Sequence, residues 1–125
     1  MEIELEFELF ILKATLLDTP TARSIWESLP VTSRVMTWGD EFYFGIPANA
    51  ALEADAQTVV ELGALAYWPT MPAFCVFFGP TPISHGQEPR AASPVNVFGK
   101  LQEIDLDILR SVQDGEEVTV RKSTS

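Results

Sequence analysis

Hydrophobic and polar positions alternate from the start of the chain: Glu2, Glu4, Glu6 and Glu8 interleave with Ile3, Leu5, Phe7 and Leu9. Successive side chains of a strand point to opposite faces, so a period of two predicts a strand with one solvated carboxylate face and one apolar face. The apolar pattern continues through Phe10-Ile11-Leu12 and carries the expected strand to Leu16, where Asp18-Thr19-Pro20 stops it. The period then changes. Ala22, Ile25, Trp26 and Leu29 recur at i, i+3, i+4 and i+7, one buried stripe of a short helix. Thr19 is placed to cap it, Pro20 suits its first position because the missing N–H has no partner there, and Pro30 ends it.

Beyond the helix the period returns to two. Residues 35–38 and 41–46 read as strands of a hairpin turning at Gly39-Asp40. Residues 48–55 have the composition of a small helix or turn, and 58–62 and 64–68 read as strands around Gly63, the second closed by Pro69. An apolar strand at 74–78 leads into a long proline-studded loop, 79–93, whose length makes it a candidate for function. A strand at 95–101 follows, then a helix at 105–113 with Ile104, Ile108, Leu109 and Val112 turned inward and Gly115 as its stop. Val118-Thr119-Val120 makes a last strand, and residues 122–125 are expected to fray.

About eight strands with two short helices and no βαβ rhythm point to a mainly β fold, a single domain over residues 1–121, and to a closed barrel rather than a layered α/β sheet, although a period of two does not by itself choose between a barrel and a sandwich. Hydrophobic residues make up 46% and charged ones 21% of the 125, within the range of an ordinary globular domain. No apolar run approaches the length that spans a bilayer. The acidic, alternating N-terminus lacks the basic start and apolar core of a signal peptide, so a cytosolic protein is expected. The formal charge of −10 and the scatter of eight Lys and Arg argue against nucleic acid, whose backbone is held by clustered cations.

Several chemistries are excluded by residue counts. Cys75 is the one cysteine and His85 the one histidine, so neither an intrachain disulfide nor a Cys- or His-rich metal site is expected. The glycines lack phosphate-loop spacing, no Gly-x-Ser-x-Gly elbow exists, and no cofactor is expected. Asp40 and Glu41 are neighbours after a turn and should point to opposite faces of a strand, which disfavours a paired acid/base role.

Four segments carry a resemblance: Trp38-Gly39-Asp40, Ala66-Tyr67-Trp68-Pro69, Phe78-Gly79-Pro80-Thr81-Pro82 and Ser93-Pro94-Val95-Asn96. Together with the helix at Thr19-Pro20-Thr21-Ala22 and the strand Val97-Phe98-Gly99-Lys100, they resemble the short prokaryotic cyclophilin-like domain family, minimal barrels of unassigned role. The resemblance implies the barrel. It does not supply the catalytic set of cyclophilins, which act through an arginine in a Phe-His-Arg strand: Arg34, in Ser33-Arg34-Val35, lies in the right region without the flanking pattern. Aligning Phe98-Gly99-Lys100 with its cyclophilin counterpart places Val95 at the pocket histidine and Arg90 near the pocket tryptophan.

The expected function is therefore a binding module for a small molecule or a proline-containing peptide. The alternative is a peptidyl-prolyl isomerase with a displaced arginine, stabilising the twisted amide electrostatically. Tyr67, Trp68 and Phe78 supply aromatic surface, and Thr81, Arg90, Ser93 and Asn96 supply polar groups, the mixture expected of a ligand pocket. A structural reading stands beside it: Trp68 and Phe78 in the barrel core, Arg90 paired with Glu88, and Asn96 satisfying backbone groups.

Overall fold

The computed structural model describes residues 1–123. Among them the chain runs β1 (Glu2–Glu6), β2 (Ile11–Leu16), α1 (Pro20–Ser28), β3 (Val31–Arg34), β4 (Met36–Thr37), β5 (Glu41–Gly45), β6 (Gln57–Val59), β7 (Ala64–Trp68), β8 (Ala73–Phe77), β9 (Arg90–Leu101), α2 (Leu106–Arg110) and β10 (Glu117–Lys122). The fold is mainly β with two helices, and no helix is long and apolar enough to cross a membrane.

Hydrogen-bonded neighbours follow the antiparallel order β3-β10-β1-β2-β9-β7-β8-β5-β4, with β6 paired to β9 beside this path. Its two end strands, β3 and β4, are separated in the chain by Val35 alone. Val35 is fully buried; its N–H donates to Glu116 O at 2.9 Å and its carbonyl accepts from Gly115 N at 2.7 Å. The two ends of the sheet thus meet at one residue, although no hydrogen-bond ladder joins β3 to β4 among the described residues.

Ten strands replace the expected eight or so because the chain turns more often than its punctuation shows. The long N-terminal strand is instead the hairpin β1–β2, paired Glu6↔Ile11, in which Phe7 N–H donates to Phe10 O and the two rings stack at 4.8 Å. No glycine or asparagine marks that reversal. Leu9, expected on the apolar face, lies near its tip and is 89% exposed. Ile3, Leu5 and Phe7 are buried as expected, while Arg121 of β10, opposite Glu4 in register, bonds Glu4 and Glu6 on the carboxylate face.

Thr19 caps α1 by accepting from Ala22 N, and Ala22 and Ile25 are buried. Trp26 is only partly buried, with the Lys122 ammonium 4.8 Å from its ring centre. The expected strand at 58–62 contracts to β6, and of the small helix or turn expected at 48–55 the turn forms, at residues 54–55, where Ala56 N–H donates to Glu53 O, and the helix does not. Strand β9 begins at Arg90 rather than Val95, which shortens the long loop. α2 is one turn capped by Asp105; Leu109 and Val112 are buried, but Ile104 lies outside and Ile108 is half-buried. Lys122, expected to fray, pairs with Ile3 at the end of β10, and Ser123 N–H donates to Glu2 O; the rest of that expected tail, residues 124–125, lies outside the described residues.

Strand β8 is buried at all five positions, as a short unbroken apolar run suggests. One of its faces joins the main core, where Phe74 stacks on Phe44 at 4.7 Å and meets Phe98 edge-on at 5.0 Å. Its other face, Ala73, Cys75 and Phe77, belongs to a second, smaller core with Val60, Ala64, Ala66, Ala91 and Val95. Gly99 serves the close approach of β2 to β9: a Cβ there would lie 2.8 Å from Thr15 O.

Candidate functional site

The second core is built by register. Antiparallel pairing sets Glu41 opposite Phe77 and Tyr43 opposite Cys75, while Ala66 faces Cys75 and Trp68 faces Ala73. Directly paired residues share a face, so β5, β8 and β7 present Glu41, Tyr43, Cys75, Phe77, Ala66 and Trp68 on one side. Phe42, Phe44, Phe74, Val76, Leu65 and Tyr67 go to the main core on the other. The first half of β9 passes over the first side with the small residues Ala91, Ala92 and Ser93, and these leave space. A cavity of about 220 Å³ results, with Trp38, Tyr43, Trp68 and Phe77 as aromatic lining, Glu41 and Cys75 as polar lining, and Ala91, Ala92, Ser93 and Val95 completing it from β9.

Glu41 is 5% exposed. Burial pushes its carboxyl up from an ordinary value of 4.5 to about 7, opposed in part by a hydrogen bond from the Cys75 thiol. A carboxylate in a low-dielectric site pays a large solvation penalty that one weak thiol donor does not offset. The same burial, and then the neighbouring Glu41 charge, push the Cys75 thiol well above its usual value, so this cysteine stays protonated. Asp40 points away, as the strand period requires, and pairs with Arg110 at 3.2 Å. Near neutral pH the cavity therefore holds one carboxyl able to accept or release a proton and surrounded by aromatic rings.

Trp38 reaches the cavity from the β4–β5 turn, where Gly39 adopts φ +62°. A side chain at Gly39 would be strained in that conformation and would press on Thr81 Cα at 2.9 Å. Asp40 N–H donates to Pro80 O and Phe78 N–H to Asp40 O, so Trp38-Gly39-Asp40 and Phe78-Gly79-Pro80-Thr81-Pro82 form one packed corner.

Of the seven residues expected at a pocket, Trp68 and Ser93 come together on this cavity, the Trp68 indole donating to Ser93 Oγ at 2.6 Å. Tyr67 and Phe78 face the main core; the Tyr67 hydroxyl donates to Ala48 O at 2.8 Å. Asn96 is 1% exposed, gives its amide hydrogens to Thr21 Oγ1 and Ala51 O, and accepts from Glu53 N, anchoring the 48–55 segment. Thr81 Oγ1 donates to Arg90 O, and Arg90 Nε pairs with Glu88 at 3.0 Å. Arg90 and Asn96 thus do not share a cavity. Glu88 also accepts from the backbone N–H groups of His85 and Gly86, which hold its carboxyl down at about 2.

Trp38, Glu41, Tyr43, Cys75 and Phe77 were not among the residues expected at the site. The signal was present in the period: with Phe42 and Phe44 assigned to the core, Glu41 and Tyr43 share the opposite face, and the all-apolar strand 74–78 requires that face to be covered too.

Known proteins share this architecture. A family model described as Cyclophilin-like matches residues 1–121. The solution structure of a hypothetical protein from Archaeoglobus fulgidus is 38% identical, covers 98% of this chain and 95% of its own, and superposes with a TM-score of 0.83. No curated protein matches the chain. With the match extending from β1 to β10, the chain belongs to the cyclophilin-like family.

Proposed function

We propose that the chain is a binding module whose site is the cavity between β9 and the face of β5, β8 and β7, and that it takes a small molecule or a side chain of a proline-containing peptide. The sheet is read as a barrel closed through Val35, with this site on its outer side. The observation that carries the proposal is a buried carboxyl, Glu41, among Trp38, Tyr43, Trp68 and Phe77. Folding has no use for an ionisable group there, since an apolar residue would pack without the desolvation penalty. Aromatic walls with one oriented polar group are the usual composition of a small-molecule site.

Isomerase chemistry finds less support. It needs a cationic donor beside the prolyl amide, and no arginine lines the cavity. Arg34 bonds Gly115 O at 2.9 Å and Arg90 is held by Glu88. The test is a fragment titration followed by NMR, including neutral aromatics, organic cations and Xaa-Pro peptides. Binding should move the indole N–H resonances of Trp38 and Trp68 while that of Trp26 stays in place. Hits that perturb only other surfaces, or catalysed cis–trans exchange of the peptide that is lost in Arg34→Ala or Arg90→Ala, would overturn the reading.

A further inference from the structure

We infer that the cavity selects a small organic cation, a methylated ammonium or a similarly weakly hydrated positive group, over a neutral molecule of the same shape. This rests on the cavity being a binding site and adds the class of ligand. The lining joins four aromatic residues to one carboxyl and contains no basic side chain. Aromatic faces attract cations through their quadrupoles, and the attraction grows when water is excluded. A carboxylate adds a charge interaction that the low-dielectric surroundings strengthen.

The neighbouring cations do not compete. Arg90 is engaged by Glu88, and Arg110 by Asp40 on the other side of the strand. The formal charge of −10 favours approach of a positive ligand and opposes an anion. A metal ion is a poorer fit, because the lining offers only Glu41 and Cys75, and no group of three or more metal-ligating side chains occurs among the described residues. A bare ammonium holds its water strongly. Methyl groups remove its donors and spread its surface, which suits aromatic walls.

The test compares choline with its neutral carbon analogue, in which carbon replaces the quaternary nitrogen, by NMR titration of the whole chain at about pH 8, where Glu41 is mostly ionised. Choline should bind about ten-fold more tightly or better. Glu41→Gln should cut the ratio several-fold, to the part that the aromatic faces supply, and leave the affinity for the neutral analogue unchanged. Equal affinities in the parent chain, or a choline preference that Glu41→Gln leaves at full size, would overturn the inference that this lining selects a cation. If the neutral probe or another fragment still binds at the Trp38 and Trp68 indoles, the binding-module reading stands without it; if no fragment binds there, both fall.

Discussion

The indole N–H of Trp68 donates to Ser93 Oγ at 2.6 Å, fastening the end of β7 to the part of β9 that covers the cavity. Trp68 is half-buried, so without this acceptor its N–H would face a mainly apolar space. Ser93→Ala should lower stability by about 1 kcal/mol in urea unfolding and shift tryptophan emission, while Ser93→Thr should retain most of both. Unchanged unfolding and emission in Ser93→Ala would show that this bond does not hold the wall.

Asn96 does a different job. Its amide meets Thr21 of α1, Ala51 O and Glu53 N, three partners on two segments that carry no strand of their own. Asn96→Ala should destabilise the chain by about 3 kcal/mol, because Glu53 N–H would lose its acceptor while Thr21 Oγ1 and Ala51 O each lose a donor. Thermal or urea unfolding reads this directly. A loss below about 0.5 kcal/mol would place Asn96 outside the stabilising network.

The raised carboxyl of Glu41 has a signed consequence for stability. Between its ordinary value of 4.5 and its folded value of about 7, the folded chain holds a proton that the unfolded chain has released. Stability therefore falls as pH rises through that window and levels off above it. The fall is roughly 3 kcal/mol, since each ten-fold difference in proton affinity between the folded and unfolded chain is worth about 1.4 kcal/mol. Glu88 acts oppositely: its lowered carboxyl contributes stability above 4.5 that is lost as pH falls toward 2. Glu41→Gln should flatten the stability profile between pH 4.5 and 7 and leave the acid limb in place. A profile that keeps its slope in this variant would show that Glu41 is not the group responsible.

The elements that were legible in the sequence are those with a local cause. Thr19-Pro20 and the Ala22, Ile25 spacing specify α1, Gly39-Asp40 specifies the β4–β5 hairpin, and Asp105 caps α2; Gly115, expected as the stop of that helix, instead lies at φ +88° in the turn before β10, since α2 ends at Arg110. The Glu8-Leu9 reversal and β3 were not legible. The first lacks turn residues, and the second, Val-Thr-Ser-Arg, is polar at three of its four positions and becomes a strand through its pairing with β10. The site was obscured for a related reason. Trp68 and Ser93 stood out as residue types, whereas Glu41 matters because β8 is covered on both faces, a property of which strands pair rather than of any short motif. Asn96 and Tyr67 looked like ligand contacts because buried polar groups in a core and in a pocket use the same chemistry.

Ala92 is exposed yet lines the cavity, so a larger side chain there can block the space without entering either core. The most direct measurement is calorimetric titration of a fragment that binds the parent chain into Ala92→Phe, with unfolding temperature as the control. Affinity should drop by about ten-fold or more at an unchanged unfolding temperature. Equal affinity in the two chains would mean that the ligand binds elsewhere and that the cavity beside Glu41 is not the site.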